Sequence, residues 1–234
     1  MTDKPDFTPI IRVGVGSGTI QRPPAGALKA EFAIHHLLGA ARLAKDAKNV
    51  ETARPADAEV FWYSSATVLE AAAFLESSIN EFYLAAVDHN LNVFPESDVS
   101  TVKLLAAVWD YIERAQALSK YETALSLAGK QPFDRGAKVY LDASSLFALR
   151  NALIHYKAEW TTDQDVHRGL EQRLSACFEP NPHAPKESPY IPYKCLGYGC
   201  AAWAVRTAVA FTYDFGTRMG VPNYLQRYDQ DLVV

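Results

Sequence analysis

The chain has 234 residues, 49% of them apolar and 21% charged, enough to bury a substantial core in one large domain or two small ones. Such a composition excludes wholesale disorder. Lys and Arg number 23 against 27 Asp and Glu, and the resulting net charge of −4 excludes a protein that coats nucleic acid by bulk charge while leaving room for a local basic site. Cys177, Cys195 and Cys200 cannot all pair within one chain, so a disulfide-stapled secreted scaffold is not expected. The opening MTDKPDFTPIIRVG lacks the apolar core of a signal peptide. The longest apolar-leaning run, Cys195 to Val205, ends at Arg206, short of the ~20 residues that a membrane span needs. The expectation is a soluble, cytoplasmic protein with no membrane partner.

Residues 1–24 read as an irregular arm, and 25–234 as a single all-α domain without internal repeats. Prolines partition the chain, and the long proline-free stretches, rich in Ala, Leu, Glu and Lys, are the helix candidates. Six helices are predicted. The first spans 25–48 and the second 56–89. The third spans 98–128, with Ser97 as N-cap and a stop at Gly129 before Pro132. The fourth spans 137–158. The fifth spans 163–177 with Thr162 as N-cap. The sixth spans 197–219 and is closed by Gly220 and Pro222. In the second helix, Val68, Ala72, Leu75, Ile79, Phe82 and Ala86 alternate four and three apart, the spacing of a bundle seam. Glu76 and Asn80 lie one turn apart on its flank. The sixth helix is apolar on nearly all sides and reads as a central or interface helix. Residues 178–196 read as a proline-rich belt around the bundle.

Most catalytic signatures are absent: there is no HExxH, no GxxxxGKS/T, no CxxC and no GxSxG. Gly14, Gly16 and Gly18 lack the strand before and helix after that a phosphate loop requires. Cys195 and Cys200 have no matching His or Cys pair, so they read as small buried hydrophobes rather than zinc ligands. His35 and His36 read as a surface or cap pair. No cofactor and no metal are expected. A carboxylate-bridged metal bundle needs E-x-x-H on two helices, and neither Glu76 nor Glu159 starts one.

The fourth helix carries the chemistry, in SSLFALRNALIHYKAEW. At about 100° per residue, Val139, Leu146, Phe147, Leu149, Leu153 and Ile154 form a buried face with Arg150 in its middle. Asn151 and His155, an i,i+4 pair, border one edge. A guanidinium stays charged, so a buried Arg150 must meet a carboxylate, a pocket or an interface. The structural alternative is an ion pair inside the bundle with Glu76.

Arg150-Asn151-Ala152-Leu153-Ile154-His155 resembles the R-N-x-x-x-H form of the R-x4–6-H motif of the HEPN superfamily (higher eukaryotes and prokaryotes nucleotide-binding). FLESSINEFY, with Glu76 and Asn80, is similar to the E-x-x-x-N stretch in the early long helix of many such domains. The resemblance covers about residues 30–160 and leaves 161–234 as C-terminal additions. It implies an antiparallel helical bundle that dimerises through the motif helix. Many members are metal-independent endoribonucleases acting as toxins or antiviral defence effectors, while others only bind. One subgroup carries a tyrosine two residues after the histidine that a partner nucleotidyltransferase modifies. Here Lys157 holds that position and Tyr156 comes one earlier, a departure that speaks against that pairing.

The implied chemistry is consistent with these side chains. Metal-free RNA cleavage needs a base for the 2′-OH proton, an acid for the leaving 5′-oxygen and a cation for the phosphorus. Histidine suits both proton roles, and arginine offers a planar fork to phosphate oxygens. A twofold dimer would supply the second histidine. The resulting expectation is a homodimeric endoribonuclease acting on RNA, with Arg150, Asn151 and His155 catalytic and Lys157 and Tyr156 binding substrate. Glu76 and Asn80 would support them, and an antitoxin or regulatory protein is a further expected partner. The alternative is a non-catalytic binding or scaffold module using the same dimer interface, which the sequence pI of 5.9 favours slightly.

Overall fold

A computed structural model describes residues 29–54, 57–157 and 167–234. Among them the chain is all-helical, without strands. Seven α-helices follow in order: α1 (Ala33–Ala53), α2 (Glu59–Val87), α3 (Val99–Ile112), α4 (Ala117–Leu127), α5 (Lys138–Ile154), α6 (Arg168–Leu174) and α7 (Tyr198–Met219).

α1 and α2 form an antiparallel hairpin. Lys29, ahead of α1, pairs with Asp88 just past α2, and the Glu81 carboxylate accepts from the backbone N–H of Phe32 and Ala33 at 2.7 and 2.8 Å. That cap comes from another helix, which is why α1 begins at Ala33 rather than at 25; residues 25–28 lie outside the described part. Its far end runs past 48 to Ala53, because Pro55 is the first genuine breaker there. Ala40, Ala41, Ala44 and Ala47 are buried, and their small side chains let the two helices approach closely. The His36 ring meets Glu70 of α2 at 2.6 Å. All six seam residues predicted on α2 are buried.

The single third helix is corrected to two. α3 ends at Ile112, and α4 starts at Ala117 after an extended Gln116. No proline or glycine marks the break; the apolar phase does. Leu105, Trp109 and Ile112 call for the next inward positions near 116 and 119–120, yet the apolar residues resume at Ala117, Tyr121, Ala124 and Leu125. One straight helix cannot bury both sets. The N-cap is Asp98, not Ser97: its carboxylate accepts from the Thr101 N–H at 2.6 Å. Gly129 and Gly220, at φ 61° and 70°, end their helices in the left-handed region as expected. α6 is shorter than predicted, and its proposed Thr162 cap lies outside the described residues.

α7 is the central helix. It packs on α1, α2, α4 and α5, and its N-terminus is held by Glu51 of α1, whose carboxylate accepts from the Tyr198 N–H at 2.8 Å. Phe211 and Phe215 meet the Tyr121 ring edge-on at 4.9 and 4.7 Å. Phe215 also meets Phe82, and Phe211 stacks on Phe133. The belt before α7 is anchored by Asn181, whose amide donates to the Leu196 carbonyl at 3.0 Å. No helix among the described residues is long and apolar enough to cross a membrane.

Candidate functional site

The motif lies at the C-terminal end of α5. The inward face of this helix consists of Ala143, Ser145, Leu146 and Leu149. That corrects the projected face: Ile154 is exposed, Val139, Phe147 and Leu153 are half-buried, and Arg150 lies on the border instead of the middle. The inward direction is set by α2 and α7, the helices α5 packs on, and not by the mean direction of its apolar residues.

From that border the Arg150 guanidinium reaches α2. One terminal nitrogen donates to Glu76 Oε2 at 2.8 Å and the other to Asn151 Oδ1 at 2.9 Å. The ion pair is not sealed: the Arg150 and Glu76 side chains are 29% and 39% exposed. Asn80, one turn on, does not join Arg150. Its carbonyl oxygen accepts from the Lys120 ammonium of α4 at 2.8 Å. Lys120 is 1% exposed and lies over the Trp109 ring, 5.5 Å from its centroid. Burial lowers the Lys120 pKa below the usual lysine value, against the opposing charges of Glu76 and Glu113. Two polar links therefore meet α2 one turn apart: Lys120 of α4 on Asn80, and Arg150 of α5, itself bonded to Asn151, on Glu76.

Lys120 is the site residue that sequence reasoning missed. Its signal was available, since it falls within the apolar phase of Ala117, Tyr121 and Ala124, where a charge needs a reason.

α5 ends at Ile154, four residues short of the predicted boundary, so His155 is its C-cap. The His155 backbone N–H donates to the Asn151 carbonyl at 2.9 Å. The side chains of Asn151, His155 and Lys157 are exposed. Among the described residues no hydrogen bond joins the His155 imidazole to Arg150 or Asn151; the Asn151 oxygen is taken by Arg150. Tyr156 stacks on His167, with ring centroids 6.0 Å apart, and so leans toward α6. The cluster thus holds a cation with donors to spare and an imidazole open to solvent, both on the α5 end.

Cys195 and Cys200 are fully buried, and no group of three or more His, Cys, Asp or Glu side chains among the described residues is placed to hold a metal ion. No family model, no curated protein and no solved structure matches this chain.

Proposed function

We propose that the protein is a homodimeric, HEPN-type endoribonuclease that cleaves RNA without metal and serves as a toxin or antiviral defence effector. The observation that carries this reading is the state of Arg150: oriented by Glu76 and Asn151, still solvent-accessible, and on the same helix end as an exposed imidazole. A phosphodiester seated on Arg150 would meet His155 of one or both protomers. One imidazole would take the 2′-OH proton as that oxygen bonds to phosphorus, the other would give a proton to the 5′-oxygen as its bond to phosphorus breaks, and the guanidinium would offset the charge developing between them. Dimerisation is supported by the outer face of α5. Leu141, Ser144, Ala148, Asn151 and His155 recur three and four apart, uncharged at the first four positions and ending at the site. Lys157 adds attraction for the backbone, and an antitoxin or regulatory protein would cover the same face.

A second reading has its own support. The 2.8 Å contact between Arg150 and Glu76 already gives the guanidinium a counter-ion, as a binding or scaffold module requires. The two readings separate in one assay, RNA cleavage in EDTA by wild type, His155→Ala and Arg150→Ala. The enzyme reading expects cleavage by wild type alone, and growth arrest on expression that His155→Ala relieves. Absence of wild-type cleavage, or equal cleavage by the variants, leaves the binding module.

A further inference from the structure

Glu76 and Asn80 sit one turn apart on α2, and each is engaged by a cation from a different helix: Arg150 of α5 on Glu76, and Lys120 of α4 on Asn80. A buried ammonium is costly unless it is paired. Yet Lys120, almost fully buried, has only a neutral amide oxygen and an aromatic face as direct partners, and no carboxylate oxygen among the described residues lies within ion-pair distance of it. The acids whose charge reaches it are Glu76, already engaged by Arg150, and the exposed Glu113. At the centre of the site, Glu76 is bonded to one cation, Arg150, while a second, Lys120, is held by Asn80 one turn along the same helix.

We infer that Lys120 is a positioning residue that takes over the charge of Glu76 when Arg150 leaves it for an anion. Without Lys120, moving Arg150 onto a phosphate would strand a half-buried carboxylate, and the ion pair would hold Arg150 back. With Lys120 bonded to Asn80, one turn from Glu76, the carboxylate keeps a nearby cation in either state. Arg150 is thus oriented by Glu76 without being locked to it. This rests on the ribonuclease reading only in taking the anion to be an RNA phosphodiester.

The test uses inorganic phosphate as the probe, with the Arg150 Nε–Hε resonance as the readout in the full chain. Wild type is expected to show a saturable shift. Lys120→Met is expected to weaken phosphate binding about tenfold. Asn80→Asp does the same without removing the lysine, by giving Lys120 its own counter-ion. Adding Glu76→Gln to either variant is expected to restore binding, because a neutral amide needs no cation. With Glu76→Gln present, Lys120→Met and Asn80→Asp are expected to bind as tightly as Glu76→Gln alone, whereas a merely structural role for Lys120 would leave Lys120→Met weaker than that reference. If phosphate leaves the Arg150 resonance unmoved in wild type, if both single variants bind like wild type, or if Glu76→Gln restores neither, the inference is wrong. If Lys120→Met does not fold, Asn80→Asp alone decides. RNA cleavage in EDTA is run in parallel. The phosphate pattern without cleavage refutes the ribonuclease reading and leaves the exchange of charge at Glu76 standing.

Discussion

The two ends of α5 each carry an arginine and treat it differently. Near the N-terminus, Arg135 meets Glu122 of α4 in a two-pronged pair, at 2.8 and 2.9 Å, and Tyr140 donates to the same carboxylate. Lys138 pairs with Asp142, and the Cys177 thiol leans on Asp142 too. Arg135, Glu122, Lys138 and Asp142 each have a local opposite there, although Arg135 itself is 74% exposed. At the C-terminus, Arg150 divides its donors between an acid and an amide, a second cation lies buried behind them, and His155 and Lys157 face solvent. The first end is a fastener. The second has an excess of positive charge on a chain whose net charge is negative. The two ends thus differ in how completely their charges are matched, not in whether they form ion pairs.

The largest expected effect contrasts the two arginines directly. On the ribonuclease reading, Arg150→Ala should lower metal-free RNA cleavage by about 100-fold or more, as removal of a group stabilising transition-state charge does, whereas Arg135→Ala should leave it within about twofold. Equal losses from both would erase the distinction. Arg150→Lys sharpens it, because the charge stays while the planar fork goes; cleavage should still drop at least about tenfold.

A smaller effect concerns the closed end. Burial, with Asp142 beside it, pushes the Cys177 thiol up to about 11. A thiol raised in the folded state contributes stability that is complete below the unfolded value near 9 and is lost as pH rises through about 11. Asp142→Asn should move this window down and speed thiol labelling of the native protein a few-fold at pH 8.5. Unchanged labelling would mean that burial alone sets the thiol.

The smallest effect lies at the start of α3. Hydrogen bonds from the Thr101 and Ser100 groups hold the Asp98 carboxyl below its usual value. Its contribution to stability is present above pH 4 or so and fades as pH falls through the lowered value. Asp98→Asn should keep the cap while removing that acid dependence, read as amide exchange at Val99 to Thr101.

Much of this was legible in the residues. The α2 seam, the α7 boundaries with Gly220, the belt before α7 and the two buried cysteines all follow from periodicity and local stop signals. What escaped depends on contacts between distant segments. Glu81 caps a helix 48 residues away. The break between α3 and α4 is visible only as a slip in apolar phase. The facing of α5 that leaves Arg150 on the border depends on which helices it packs against, chiefly α7 and α2. At the site, the Arg150–Glu76 contact is legible as the ion-pair alternative, whereas Asn151, expected beside His155, is held by Arg150 instead; the Lys120 partnership with Asn80 is not legible, because an ammonium inside a bundle can be read only once its acceptor is known.

The position of α7 has a consequence for how the chain assembles. The rings that complete the interior, Phe211 and Phe215, come late in the sequence, while Phe82, Tyr121 and Phe133, which receive them, come early. On the ribosome the earlier helices emerge first, their aromatic faces uncovered until α7 follows. The longer that interval, the longer greasy surface is open to neighbouring chains.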